Sequence, residues 1–321
     1  MFRWIDCTDP TRPRTLKRAP SVRLRMAQLT DPHVPGDIPL MRRLRDLMRA
    51  HRNIGQLSHE VSAISNEFSH PYRKDRRTFT NLLKKALVGL HKLGVDHLLL
   101  TGDVAHCGMP AEFLEIKGVL GLTGWSSPQK MTIIPGNHDR FNLYESIPGE
   151  SMEAFFDVVH ARAPRIKHLD HGVSLIELDS NCDRQDDRHY LERWLPNTVG
   201  RIYPETLEWL ETQRASLQGR HVVVLMHHHL TTDWYAPNPV RDFGGVMNPA
   251  HGADALVDWV DTIDPHAVIL HGHIHDAMPV GYTYKNHWLG NPGGFAQSMR
   301  VNLVDVTDEA VMHMTQIQLR T

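Results

Sequence analysis

The chain has 321 residues, with 35 Lys and Arg against 37 Asp and Glu and a formal charge of −2. Nothing in that balance suits a polyanion-binding or disordered protein, and the length allows a core that folds without disulfides or a structural metal. Three widely spaced cysteines, Cys7, Cys107 and Cys182, fit a reducing compartment. With no apolar stretch of signal or membrane-span character, the expectation is a cytoplasmic protein without a membrane segment.

Residues 1–21 are polar, carry Arg and Pro throughout, and are expected to be an irregular arm unless something docks them. Residues 22–321 are expected to form one domain. Arg23 to Thr30 reads as a first strand, and Pro32 in the following Asp31-Pro32-His33 forbids its continuation. Residues 34–77 then interrupt the pattern. Leu40 to Ala50 has helical spacing, and the segment from 41 to 77 carries nine Lys and Arg against four Asp and Glu. The plain expectation is a solvated helical insertion; its functional alternatives are a cap over an anionic substrate or a contact between subunits of a homo-oligomer.

A strong amphipathic helix is predicted over Thr78 to Leu93, stopped by Gly94. Val95 to Thr101 reads as a buried strand ending in Gly102-Asp103, residues 110–120 as helix, and Met131 to Ile134 as a strand ending in Pro135-Gly136-Asn137-His138-Asp139. Val173 to Leu178 is a strand, residues 183–199 a polar loop, and Pro204 to Leu217 a helix opened by proline. His221 to Met226 is a strand running into His227-His228-His229. Ala253 to Val260 is helical, and Ala267 to Leu270 is a strand ending in His271-Gly272-His273-Ile274-His275. Segments at 282–284, 287–289, 300–306 and 311–317 read as a β-meander. Strands alternate with helices early and follow one another late, so the class is α/β with a largely parallel sheet and antiparallel additions.

Histidine occurs 23 times, and its placement carries the information. Five times a predicted strand ends and Asp, Asn or His follows at once. In open α/β sheets the loops beyond strand carboxyl ends line one crevice, so these five groups are expected to converge. Carboxylate oxygens mixed with imidazole nitrogens suit Mn, Fe or Zn better than Mg or Ca. Two such ions can hold the attacking and leaving oxygens of an in-line displacement at phosphorus.

The ordered set Asp31-Pro32-His33, Gly102-Asp103, Gly136-Asn137-His138-Asp139, a strand ending in His, and Gly272-His273-Ile274-His275 resembles the signature of calcineurin-like metallophosphoesterases. The resemblance covers roughly residues 22–295. It implies a four-layer α-β-β-α sandwich of two mixed sheets flanked by helices. It also implies a binuclear centre of two divalent or mixed-valence transition-metal ions. In that reading Asp31, His33, Asp103 and His275 hold one ion, and Asp103, Asn137, His227 and His273 hold the other, with Asp103 as the bridge. His228 is a close second to His227; adjacent strand residues face opposite sides, so both can hardly reach one ion. His138 would assist the leaving group, and Asp139 would orient His138 through a hydrogen bond. His106 and Cys107, just beyond Asp103, read as no more than neighbours of the pocket.

Departures within the resemblance narrow the class. The chain reads Gly102-Asp103-Val104-Ala105-His106, without the Asp-Arg-Gly of protein Ser/Thr phosphatases. His106 stands where purple acid phosphatases carry a metal-binding Tyr. The Asn-His-Asp string and the segments around Leu178-Asp179-Ser180 and Glu208-Trp209-Leu210 resemble class III cyclic nucleotide phosphodiesterases and glycerophosphodiesterases. The implied activity is hydrolysis of a small phosphodiester by a metal-bridging hydroxide. A phosphomonoesterase, a nuclease of the same fold and a non-catalytic scaffold are the alternatives. Near-neutral charge disfavours nucleic acid, and a full complement of ligand positions disfavours the scaffold.

Overall fold

Residue periodicity decides the layers. Strand β3 (His97–Thr101) sends Leu98 and Leu100 to one face of its sheet and Leu99 to the other, the period of two that a buried strand imposes. Strand β7 (His221–Leu225) divides in the same way, Val222 and Val224 against Val223 and Leu225. The computed structural model describes residues 3–8, 16–35, 75–106, 108–140, 155–158, 163–181, 199–235, 248–309 and 312–320. The predicted helix at 40–50, most of the 34–77 insertion and nearly all of the 183–199 loop lie outside those residues.

Among the described residues there are two six-stranded sheets. The first contains β1 (Arg3–Asp6), β2 (Val22–Leu29), β3, β4 (Met131–Ile134), β11 (Arg300–Thr307) and β12 (Met312–Arg320), in the order β1-β12-β11-β2-β3-β4. The second contains β5 (Arg165–His168), β6 (Val173–Glu177), β7, β8 (Val268–Leu270), β9 (Thr283–Tyr284) and β10 (His287–Gly290), in the order β5-β6-β7-β8-β10-β9. Leu99, Met26, Val223, Leu225, Leu270 and Val304 fill the space between the sheets. Helices α1 (Arg76–Lys92) and α2 (Pro110–Thr123) cover the outer face of the first sheet through Phe79, Leu83, Leu87 and Phe113. Helices α3 (Pro204–Leu217) and α4 (Ala253–Asp261) cover the second through Leu210, Leu256 and Val260. The order is therefore helix, sheet, sheet, helix, as the motif set implied.

Most predicted elements fall where periodicity puts them, and the differences have local causes. Helix α1 starts at Arg76 because the Asp75 carboxylate accepts the Thr78 amide at 3.0 Å, an N-cap that satisfies one otherwise orphaned donor. Part of the N-terminal arm is not irregular: Arg3–Asp6 pairs antiparallel with β12 at the sheet edge. Strand β5 is antiparallel to β6; its residues Arg-Ile-Lys-His carry no apolar alternation to announce it. The last four strands are not one meander. β9 and β10 form a hairpin, β10 runs parallel to β8, and β11 and β12 belong to the other sheet. The four-residue helix α5 (Phe295–Ser298) lies between β10 and β11 where the chain changes sheets.

This topology places the chemistry. β2, β3 and β4 are consecutive parallel neighbours, and β6, β7 and β8 are parallel in the second sheet. Their carboxyl ends therefore open at one edge of each sheet. The two edges are tied together at Gln28, whose Nε2 donates to the His271 carbonyl at 2.8 Å and the Gly290 carbonyl at 3.2 Å.

Candidate metal centre

The loops beyond these strands are held by backbone bonds that cross between them. Asp31 N donates to Gly102 O at 3.2 Å, His33 N to Asp103 O at 3.0 Å, and Gly272 N to His227 O at 2.9 Å. Asp31, His33, Asp103 and His273 all take positive φ, at 48°, 45°, 51° and 67°. That region costs a residue with a Cβ about 1–2 kcal/mol, and such strain concentrates at functional sites. Two glycines make room for the carboxylates. A Cβ on Gly136 would strike Asp103, and one on Gly272 would strike Thr30 and Asp31.

The seven residues singled out from sequence as metal ligands reach one cluster. On one side, His33 Nε2 and His275 Nε2 are 3.0 Å apart. Asp31 Oδ1 stands 3.4 Å from His275 Nε2 and 3.8 Å from His33 Nε2. On the other side, Asn137 Oδ1 is 3.0 Å from both His227 Nε2 and His273 Nδ1. Asp103 joins the two sides, its Oδ2 lying 3.7 Å from His33 Nε2 and 3.4 Å from His227 Nε2. Asp31, His33, Asp103, Asn137 and His227 are buried, while His138, His273 and His275 are partly exposed at the mouth.

The charge states follow from these neighbours. Burial opposes ionisation of Asp103, but His227, His138 and His33 hold its carboxyl well below the usual carboxylate range. Burial likewise opposes a charged His227, and Asp103 overrides it, raising the ring to about 9. Burial, reinforced by neighbouring imidazoles, pushes His33 and His273 well below the usual histidine range. Their rings are neutral and offer lone pairs.

The donor set fits two transition-metal ions. Asp31 Oδ1 is buried and accepts no hydrogen bond, an expensive state for a carboxylate oxygen unless a cation faces it. Two triads place their donor atoms within 4.8 Å of one another, Asp31 with His33 and His275, and Asp31 with Asp103 and His227. Mixed oxygen and imidazole ligation suits Mn, Fe or Zn. The support behind the donors is also built. His227 Nδ1 is 2.9 Å from the Thr101 carbonyl and Thr30 Oγ1 donates to Asp31 Oδ2 at 2.6 Å, contacts that fix ring tautomer and carboxylate orientation.

The histidine run lies just beyond β7. His227 meets Asp103 and Asn137, whereas His228 Nδ1 meets Ser180 Oγ at 2.9 Å and its ring packs 4.6 Å from that of His273 by centroids. Ser180 also accepts the amides of His227 and His228 at 3.2 and 3.1 Å. It sits in the Leu178-Asp179-Ser180 segment, where no sequence pattern singles out the hydroxyl.

One expectation is corrected. The Asp139 carboxylate does not orient the His138 ring. It accepts backbone amides of Ala105 at 2.8 Å, Gly136 at 2.9 Å and Val104 at 3.3 Å. Burial and the nearby Asp103 raise its carboxyl to about 8 against those bonds. Asp139 thus clamps the β3 loop to the β4 loop, and His138 Nδ1 is held instead by the His106 carbonyl at 2.7 Å.

His106 itself was undervalued. Its buried ring lies 5.4 Å from His33 and 5.8 Å from His138 by ring centroids, near-parallel to the latter. The donor atoms of His33, His106 and His138 all lie within 4.8 Å of one another. The sequence signal was its place three residues after Asp103.

Comparison with known proteins agrees with this geometry. The family described as Calcineurin-like phosphoesterase matches residues 24–277. A Rhodococcus erythropolis protein named probable cyclic nucleotide phosphodiesterase is 26% identical over 248 residues, covering 72% of this chain and 73% of its own. A second protein of that name, from Vesicomyosocius okutanii, is 22% identical over 198 residues, covering 61% and 69%. Among solved structures, a dimetal phosphatase from Danio rerio superposes with a TM-score of 0.55 at 12% identity, covering 93% of this chain and 98% of that one. At that identity the superposition speaks for the fold.

Proposed function

This chain belongs to the calcineurin-like phosphoesterase family and is a hydrolase, and on that premise we propose that it cleaves a small phosphodiester with a pair of transition-metal ions. The observation that carries the reading is Asp103, whose Oδ2 stands between His33 and His227 at 3.7 and 3.4 Å. Asp31, His33, Asp103 and His275 hold one ion in this reading, and Asp103, Asn137, His227 and His273 the other. Manganese, iron and zinc suit these ligands. Bound there, the ions supply a water activated to hydroxide at neutral pH and positive charge against the phosphoryl oxygens.

The protein's own groups do the rest. His138 Nδ1 donates to the His106 carbonyl, and Nε2 is the atom that meets the substrate in this reading. Burial lowers the proton affinity of this ring, and the negative charge of a bound phosphoryl group raises it again. The ring then carries a proton at Nε2 and passes it to the leaving oxygen as the P–O bond breaks. Asp139 keeps the two loops in register by its three amide bonds. The partly exposed positions of His138, His273 and His275 put the reacting phosphorus at the mouth.

Diester specificity draws support from the two relatives named as probable cyclic nucleotide phosphodiesterases. The motif order and the Asn137-His138-Asp139 string resemble those of class III cyclic nucleotide phosphodiesterases, and the formal charge of −2 disfavours a polynucleotide. No helix among the described residues is long and apolar enough to cross a membrane. The basic 34–77 insertion reads as a solvated helical insertion, with substrate capping and subunit contact as its alternatives.

The test is hydrolysis of bis(p-nitrophenyl) phosphate and of p-nitrophenyl phosphate, with added Mn²⁺ and with chelator. Metal-dependent cleavage favouring the diester is expected. Preference for the monoester would move the protein to the phosphomonoesterases, and full activity in chelator would sink the metal mechanism.

A further inference from the structure

A cavity of about 450 Å³ lies between α1 and α2, lined by Pro35, Arg76, Arg77, Lys84 and Glu115 among others. Arg77 and Lys84 line it on the side of α1 and Glu115 on the side of α2. Arg77, Asn81 and Lys84 are spaced by four and three residues on α1, so they share one helix face. The apolar face of the same helix, with Phe79, Leu83 and Leu87, packs on the sheet. Ala111 and Glu115, one turn apart on α2, form the opposite wall.

Helix α1 runs into β3, and α2 leaves it, so the first turns of both helices stand beside the carboxyl ends of β2, β3 and β4. Pro35 lines the cavity and follows His33 by two residues, a span of at most about 7 Å. A substrate held at the metal centre by one phosphoryl group can reach the cavity with a short arm.

We infer that this cavity is a subsite for a second anionic group, a terminal phosphate or its equivalent, carried by one arm of the diester. The inference rests on the phosphodiesterase reading and adds the substrate's shape: two anions separated by a short linker. Arg77 and Lys84 would bind the distal anion by charge-assisted hydrogen bonds, and Glu115 would repel an arm that places the charge too deep. The site would select between diesters without touching the scissile bond, so its effect belongs in KM.

The test compares two diesters on the metal-loaded full chain. One is a p-nitrophenyl phosphodiester whose second arm is an alkyl chain ending in a phosphonate; the other has the same arm ending in methyl. Arms of several lengths are used. The wild type is expected to favour the phosphonate arm about 10-fold or more in kcat/KM at its best length, through KM, the size of effect a hydrogen-bonded charge supplies. The double variant Arg77→Ala, Lys84→Ala should lose that preference and keep wild-type kinetics on the methyl-capped diester. Alanine, the strongest helix former, preserves α1.

Equal kcat/KM for the two arms at every length, with both cleaved, overturns the subsite and leaves the diesterase reading intact. Preference retained in the double variant overturns it as well. If neither diester is cleaved, the diesterase reading fails, and calorimetric titration with propane-1,3-bisphosphonate decides the subsite separately. Tighter binding by the wild type than by the double variant supports it, and equal binding overturns it.

Discussion

The Nε2 atoms of His33 and His275 stand 3.0 Å apart although 242 positions separate them in the chain. Asp31 Oδ1, without a hydrogen bond, lies beside both. Three donor atoms converging at one side of the site describe an ion's place, and the fold holds them there through left-handed backbone at Asp31 and His33.

The first prediction concerns that convergence. Metal loading should raise the melting temperature, because an ion that binds only the folded state adds about 2.7 kcal/mol at a hundredfold excess over Kd. For a chain of this size that is a shift of at least about 4 °C. In His275→Ala the loaded protein should hold one ion in place of two by elemental analysis. In Asp103→Ala it should hold none, and chelator should no longer change its melting curve. Two ions retained by the Asp103 variant would remove Asp103 from its bridging role.

The His138 ring packs edge-to-face on His33, with centroids 4.5 Å apart, and its Nδ1 is engaged by the His106 carbonyl rather than by a candidate ligand. His138→Ala should therefore keep its metals and lower kcat by about 10²–10⁴, the range for loss of a general acid. Restoring part of that activity with a substrate whose leaving group needs no proton would identify the lost step as protonation. Unchanged kcat would refute the role.

The His106 ring can be separated from its carbonyl. His106→Ala keeps the main-chain acceptor for His138 Nδ1 and removes the ring lying beside His33 and His138. We expect about a 10-fold or greater loss in kcat, since a misplaced acid or ligand ring degrades the reacting geometry. His106→Gln should recover more activity than Ala by refilling the space with a polar group. If both variants match the wild type, the ring is a bystander and only the carbonyl matters.

The site was readable in sequence wherever chemistry and topology coincided. Asp31, Asp103, Asn137, His227 and His273 each follow a strand that apolar periodicity identifies, and parallel β2–β3–β4 and β7–β8 pairing brings the strand ends together. What escaped were relationships set by backbone direction. Asp139 follows His138 in the chain, yet the 3-10 turn at His138–Arg140 sends its carboxylate inward to the amides of Val104, Ala105 and Gly136. Ser180 and His106 act through contacts 47 and 32 residues away, and neither has a neighbour that marks it. β1 and β5 were missed because edge strands with one wet face need little apolar alternation.

A last prediction lies away from the centre, where the two sheets meet at β3, β4 and β5. Lys167 Nζ donates to Thr132 Oγ1 at 2.7 Å, the Thr132 hydroxyl donates to His97 Nε2 at 2.9 Å, and His97 Nδ1 donates to the Gln129 carbonyl at 3.0 Å. This chain of bonds requires a neutral imidazole. Burial, with Lys167 adding to it, pulls His97 down to about 3. The unfolded chain binds that proton near pH 6.5, so between pH 6.5 and 3 the unfolded state holds more protons than the fold. Stability from this residue is complete above pH 6.5 and falls as the pH drops through that window, by at most about 1.4 kcal/mol per pH unit. In His97→Gln the side chain can still donate to Gln129 and accept from Thr132 but does not titrate. Urea midpoints at pH 7.5 and pH 5 should therefore fall further for the wild type than for the variant, by up to about 2 kcal/mol in unfolding free energy. Parallel losses in the two proteins would show that His97 takes up its proton inside the fold.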